Sequence, residues 1–152
     1  MKKLFMIFAF IILMLALFKA NIFEFEDVVS VEKTVRCTQD DIEWMLQVYS
    51  NGEVAIAPMG DLPTNVVVPT NIDGHTITKI SDYAFSGYKN LKTVELPSPI
   101  QDVGNYAFWD CENLVSVVFE EKQIRIKENA FTGCSKKLIE KVNTTNPNII
   151  WS

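Results

Sequence analysis

ISDYAFSGYKNLKTVELP, running from Ile80 to Pro97, decides how the rest of the chain reads, because it returns 23 residues later as VGNYAFWDCENLVSVVF, from Val103 to Phe119. Tyr83-Ala84-Phe85, Tyr106-Ala107-Phe108 and Asn129-Ala130-Phe131 keep that spacing, and Ile80, Val103 and Ile126 keep it five residues ahead of the phenylalanines. Leu91 pairs with Leu114, Val94 with Val117, Leu96 with Phe119 and Cys111 with Cys134, with Tyr88 in the cysteine slot of the first copy. A fixed period of about 20 to 29 residues makes each copy one coil of a stacked solenoid, with equivalent apolar side chains in ladders inside. The columns are therefore core first. The spacing of Leu91, Val94 and Leu96 points those three inward, and the two-residue alternation of a strand leaves Thr93 and Glu95 facing out. The outward ladders predicted are Thr93, Ser116, Ile139 and Glu95, Val118, Lys141.

The third copy departs from the pattern. Strict spacing would put Lys137 and Glu140 on core columns, so residues 135 to 142 read instead as a short helix capped by Ser135, with Leu138, Ile139 and Val142 on one side. Upstream, Trp44 to Ala57 reads as a hairpin turning at Asn51-Gly52, and Asp73-Gly74 offers a second turn after Val66-Val67-Val68-Pro69. A solenoid needs its exposed end covered, which assigns residues 40–75 to an N-terminal β cap and residues 76–142 to the solenoid. Residues 21–39 are a linker or an extra strand, and 143–152 a C-terminal tail.

From Asn21 onward Val and Ile total 27 against 11 for Leu and Ala, a bias toward side chains that favour strands, so the body is mainly β. Before it, all fifteen positions from Leu4 to Phe18 are apolar and follow Lys2 and Lys3. That layout matches a secretory signal peptide, since a spanning helix usually needs about 20 apolar residues. An uncleaved N-terminal anchor is the alternative: Phe18 is bulky where a cleavage site prefers a small residue, while Ala20 suits the position before the cut. Removing residues 1–20 takes three of the 14 basic residues, leaving 11 against 19 acidic ones and a net charge of −8 in place of −5. Such a surface repels the phosphate backbone and argues against a nucleic-acid partner.

The runs from Ile80 to Pro97 and from Val103 to Phe119 resemble the BspA-like leucine-rich repeats, whose repeat is similar to I-x-x-x-A-F-x-x-C-x-x-L-x-x-V-x-L-P. The hairpin, Val-Pro and Asp-Gly segments look like the region that often precedes that family's first repeat, so the resemblance covers residues 44–134. It implies a short leucine-rich-repeat-type solenoid with an N-terminal β-hairpin cap, in a non-enzymatic surface or secreted protein of bacteria or certain protists, some members being adhesins. The chain is short for such a role and lacks a visible cell-wall sorting signal, which weakens adhesion, because a long concave surface is what adhesins of this kind present. The expectation is a secreted, cell-surface or periplasmic module that binds a protein partner, needs no cofactor, and meets a membrane only through its N-terminal segment if that is uncleaved.

Strand spacing places Cys111 and Cys134 on adjacent coils, roughly 5 Å apart and close enough for a disulfide. The resemblance instead treats this slot as a small buried apolar residue, which favours free thiols. Cys37 has no obvious partner. His75 is the single histidine and sits after a turn, so catalysis through a histidine triad and a zinc site both lack their parts. The acidic groups Glu24-Glu26-Asp27, Asp40-Asp41-Glu43 and Glu120-Glu121 read as solvated turns and linkers. Asn143-Thr144-Thr145 is a glycosylation sequon, relevant only in a eukaryotic source. Trp109 is the strongest candidate contact: it fills a slot where the other copies have Ser86 and Thr132, small polar residues suited to an exposed turn, and tryptophan is enriched at binding hot spots. The competing role is to cover apolar surface of the neighbouring coil. With Trp109 go the outward strand positions Thr93, Glu95, Ser116 and Val118.

Overall fold

In the computed structural model, residues 29–120, 123–145 and 149–152 are described. The export segment, and with it the alternative of a membrane anchor, lies outside the described residues, as does the Glu24-Glu26-Asp27 cluster. No helix among the described residues is long and apolar enough to cross a membrane.

Three antiparallel strands start the fold: β1 (Val31–Gln39), β2 (Ile42–Tyr49) and β3 (Val54–Met59). The β1 to β2 turn is Asp40-Asp41, both at positive φ, a conformation that aspartate tolerates better than most residues. The β2 to β3 turn contains Asn51, whose side-chain oxygen accepts the Glu53 N–H at 3.1 Å, and Gly52 at φ 83°. Trp44, Leu46 and Ile56 point inward and are fully buried.

From β3 the chain coils. The short strands β7 (Lys79–Ile80), β9 (Asp102–Val103), β11 (Ile124–Ile126) and β12 (Ile149–Trp151) run parallel beside β3 and complete a seven-stranded sheet in the order β1-β2-β3-β7-β9-β11-β12. On the other side β4 (Asn65–Val67), β8 (Thr93–Leu96) and β10 (Ser116–Phe119) form a smaller parallel sheet. A two-residue turn at Asp73-Gly74 joins the minimal strands β5 (Asn71–Ile72) and β6 (His75–Thr76). Between the two sheets lie the expected ladders: Ile56, Ile80, Val103 and Ile126 from the larger sheet, and Val66, Val94 and Val117 from the smaller one, all buried. Phe85, Phe108 and Phe131 stack face to face, with centroids 5.1 Å apart in each pair and planes within 5°. Such close repetition requires the backbone to bond from coil to coil between strands as well: the Phe85 N–H donates to Ala107 O, the Phe108 N–H to Ala130 O and the Gly87 N–H to Trp109 O.

Three details depart from or refine the sequence reading. Val66 and its neighbours, placed in the cap, form β4 and pair in register with β8, so the repeat stack begins inside that segment. The offset is 28 residues rather than 23, as in the bond from Thr93 to Asn65, because the β5 to β6 hairpin inserts five extra residues into that coil. Residues 31–39, read as linker or extra strand, are β1 at the edge of the larger sheet. In the third copy the strand gives way to α1 (Lys136–Thr145), whose Leu138 N–H is capped by Ser135 Oγ at 3.2 Å. Leu138 and Val142 are buried and Ile139 packs half-buried against the core, so the expected outward ladders stop at Ser116 and Val118: Ile139 turns to the core, and Lys141, expected beyond Val118, donates to Ser116 Oγ instead.

Candidate functional site

The smaller sheet presents its outer face as two rows. Asn65, Thr93 and Ser116 are register partners in one row, with Thr93 Oγ1 donating to Asn65 Oδ1 at 2.8 Å and Lys141 Nζ donating to Ser116 Oγ at 3.0 Å. Val67, Glu95 and Val118 form the other, a carboxylate between two valines that are 60% and 46% exposed. Four of the five expected contact residues thus come together as adjacent pairs, Thr93 with Ser116 and Glu95 with Val118. Val67, outside the expected contacts, adds to the apolar part of this face. Val67 escaped the sequence reading because the five-residue insertion hid its coil from a search at period 23.

Trp109 stands apart from these four, in the turn between β9 and β10. Its backbone N–H bonds Tyr106 O at 3.0 Å and its carbonyl accepts from Gly87 of the previous coil, so the turn is fixed from both sides. Trp109 is 43% exposed, in keeping with a slot that elsewhere holds serine and threonine. On the same edge Tyr83 stacks on Tyr106 with centroids 5.2 Å apart, and Tyr83 is itself 55% exposed. Both tyrosines had marked the repeat. That they stack at the surface follows from the coil spacing, which brings residues 23 apart within van der Waals reach.

A charged column, also unread at first, occupies the outer face of the larger sheet. Lys79, Asp102 and Arg125 are register partners at 23-residue spacing, one position before the buried Ile80, Val103 and Ile126. Arg125 grips Asp102 through Nε and Nη2 at 2.6 and 2.7 Å, and this bond holds the guanidinium firmly protonated. Lys79 pairs with Glu53 and lies 5.7 Å from the centroid of the Tyr49 ring. Bonding to Lys79, then to Asn51, lowers the Glu53 carboxyl.

The cysteines are free. Each ladder thiol donates to a carbonyl of the preceding coil, Cys111 to Phe85 O at 2.9 Å and Cys134 to Phe108 O at 3.0 Å. Burial pushes Cys111 up to about 12 and Cys134 to about 11, so neither is a nucleophile at neutral pH. Cys37 donates weakly to Trp44 O, and burial raises it as well. His75 is half-buried in β6 beside its turn. Among the described residues no group of three or more His, Cys, Asp or Glu is arranged to hold a metal ion.

Comparison with known proteins agrees with the coils. No curated protein gives a significant match. A leucine-rich repeat protein of T. pallidum superposes with a TM-score of 0.52 at 26% identity, over 58% of this chain and 42% of that protein. A leucine-rich cell surface protein of Faecalibacterium prausnitzii gives 0.53 at 20% identity over 67% of this chain and 29% of its own length. A leucine-rich repeat protein of Bacteroides capillosus gives 0.54 at 18%, covering 80% of this chain and 99% of the other. This chain therefore spans less than half of the T. pallidum and F. prausnitzii proteins it matches. Residues 64–150, more than half of the chain, match the family described as the BspA type leucine-rich repeat region (6 copies), and the chain belongs to that family.

Proposed function

We propose that this protein is an exported, non-catalytic leucine-rich-repeat module that binds another protein at or outside the cell surface, with adhesion as one use of that binding. The observation that carries the reading is the outer face of the smaller sheet, where regular register sets Val67, Glu95 and Val118 side by side in solvent. Exposed valines around one exposed carboxylate offer a partner both apolar area and a charge to match. Trp109 adds an aromatic anchor on the neighbouring turn edge, the residue type that most often dominates binding energy. The apolar run from Leu4 to Phe18 supports export, and the cell-surface description of the F. prausnitzii neighbour fits that location. N-terminal sequencing of the mature chain separates export from tethering: a start at Asn21 removes the membrane-tethered structural alternative.

For the binding face, the folded chain is offered purified surface proteins of neighbouring cells or matrix, and any binder is titrated against Trp109→Ala and Val118→Asp. Each variant is expected to weaken binding by roughly tenfold or more. Unchanged affinity in both, with the fold intact, would remove this face from the site.

A further inference from the structure

A hollow, chemically different from the face of the smaller sheet, lies on the outer side of the larger sheet, where β3, β7, β9 and β11 run side by side. It encloses about 350 Å³. Its lining includes the small residues Ala55, Ser81 and Gly104 and the aliphatic Val29, Ile80 and Val103. Gly104 is fixed by packing, since a Cβ there would lie 2.7 Å from the Asp82 backbone nitrogen. Tyr49 and Lys79 rise at one end, Arg125 and Lys127 at the other, and the carboxylates of Asp82 and Asp102 stand between them.

These polar groups are held before any ligand arrives. Asp102 is gripped by Arg125, Lys79 by Glu53, and Asp82 accepts the Asn105 N–H at 2.7 Å as well as its side-chain amide. Each carboxylate still has acceptor capacity left, because an ionised carboxyl offers about four lone-pair sites. Lys127 differs from its neighbours: it is exposed, and among the described residues it forms no ion pair. The hollow therefore presents unspent acceptors beside one unspent cationic donor, with the aliphatic Val29, Ile80 and Val103 beside them. Its volume falls at the small end of the range for small-molecule sites, about 300 to 1,000 Å³, and suits a compact ligand better than a strand or helix of a partner.

We propose that this hollow binds a carboxylated sugar residue, a hexuronic or similar acid, whose hydroxyls donate to Asp82 and Asp102 and whose carboxylate accepts from Lys127. The ligand matches both kinds of unspent group at once. The site is independent of the protein-binding face on the smaller sheet, and it takes its ligand without reordering the side chains that hold it.

Amide NMR titration of the purified chain with glucuronic acid, glucose and an acidic dipeptide tests the assignment. Glucuronic acid is expected to saturate signals of Ser81, Gly104 and Lys127 and to bind roughly tenfold more tightly than glucose. Lys127→Gln, at an exposed position that leaves the core untouched, should erase that difference, and Trp109→Ala should leave it intact. Absence of glucuronic acid binding, equal binding of glucose, shifts confined to other surfaces, or tighter binding of the dipeptide would each overturn the proposal.

Discussion

The middle coil and the two ends of the stack solve the same problem differently. From Val103 to Phe108 the middle coil meets a near copy of itself on both sides, so one set of side chains serves as both surface and partner. Phe108 shows this most clearly, lying between Phe85 and Phe131 with 5.1 Å to each. The ends have a neighbour on one side only and must be closed by something other than a repeat. At the start this is the antiparallel meander β1 to β3; at the finish, α1 beside the smaller sheet and β12 beside the larger. The difference teaches that the interior of the stack is specified by repetition and its ends by exceptions to it, as expected where each repeat contacts only its neighbours.

That contrast can be broken by experiment. Phe108→Ala should destabilise the chain by about 3 to 5 kcal/mol in urea unfolding, and Phe131→Ala by about 1 kcal/mol less, because Phe131 loses one aromatic pair rather than two. Equal losses would mean that position in the stack does not matter. Leu138→Ala, which opens the closing helix, should cost about 2 to 3 kcal/mol. If it costs nothing, α1 is decoration and not a cap. Gly104→Ala, in the middle coil, should cost about 1 to 3 kcal/mol, since besides Asp82 Oδ1 its methyl meets backbone atoms of Asp82 and Ser81, which cannot swing away. Ser135→Ala removes the helix cap and should cost about 1 kcal/mol.

The smallest effect concerns the junction of the meander with the first coil, the partly exposed pair Glu53 and Lys79. Its carboxyl is lowered from 4.5 in the folded state, so its contribution is fully present above that value and is lost as pH falls through the lower folded value. Glu53→Gln should cost about 0.5 kcal/mol at neutral pH and flatten the acid limb of the stability curve. An unchanged acid limb would show that the pair does not couple the two regions.

Much of the fold was legible because repetition is a property of sequence. The columns of Ile80, Phe85, Leu91, Val94 and Leu96 placed the core, Ser135 marked a helix start, and Asn51-Gly52 marked a hairpin. The boundary at Val66 was not legible, since a five-residue insertion shifts the period while the strands still pair. The same holds for the candidate sites. The strand face was read from alternation, and Trp109 from its departure from a column of small polar residues. The hollow on the larger sheet was missed although Lys79, Asp102 and Arg125 obey the period, because charged residues one position off a core column read as solvent-facing and nothing more.

What the sequence by itself determined was the repeat, its inward columns, the hairpin before the stack and the closing helix after it, because these depend on periodicity and local propensity, which are written along the chain. What only the tertiary structure decided was which outward residues stand side by side. The pairing of Val67 with Glu95, the stacking of Tyr83 on Tyr106 and the grip of Arg125 on Asp102 join positions 23 or 28 residues apart. Their closeness follows from the rise between coils, a distance set by backbone hydrogen bonding and not by any one residue.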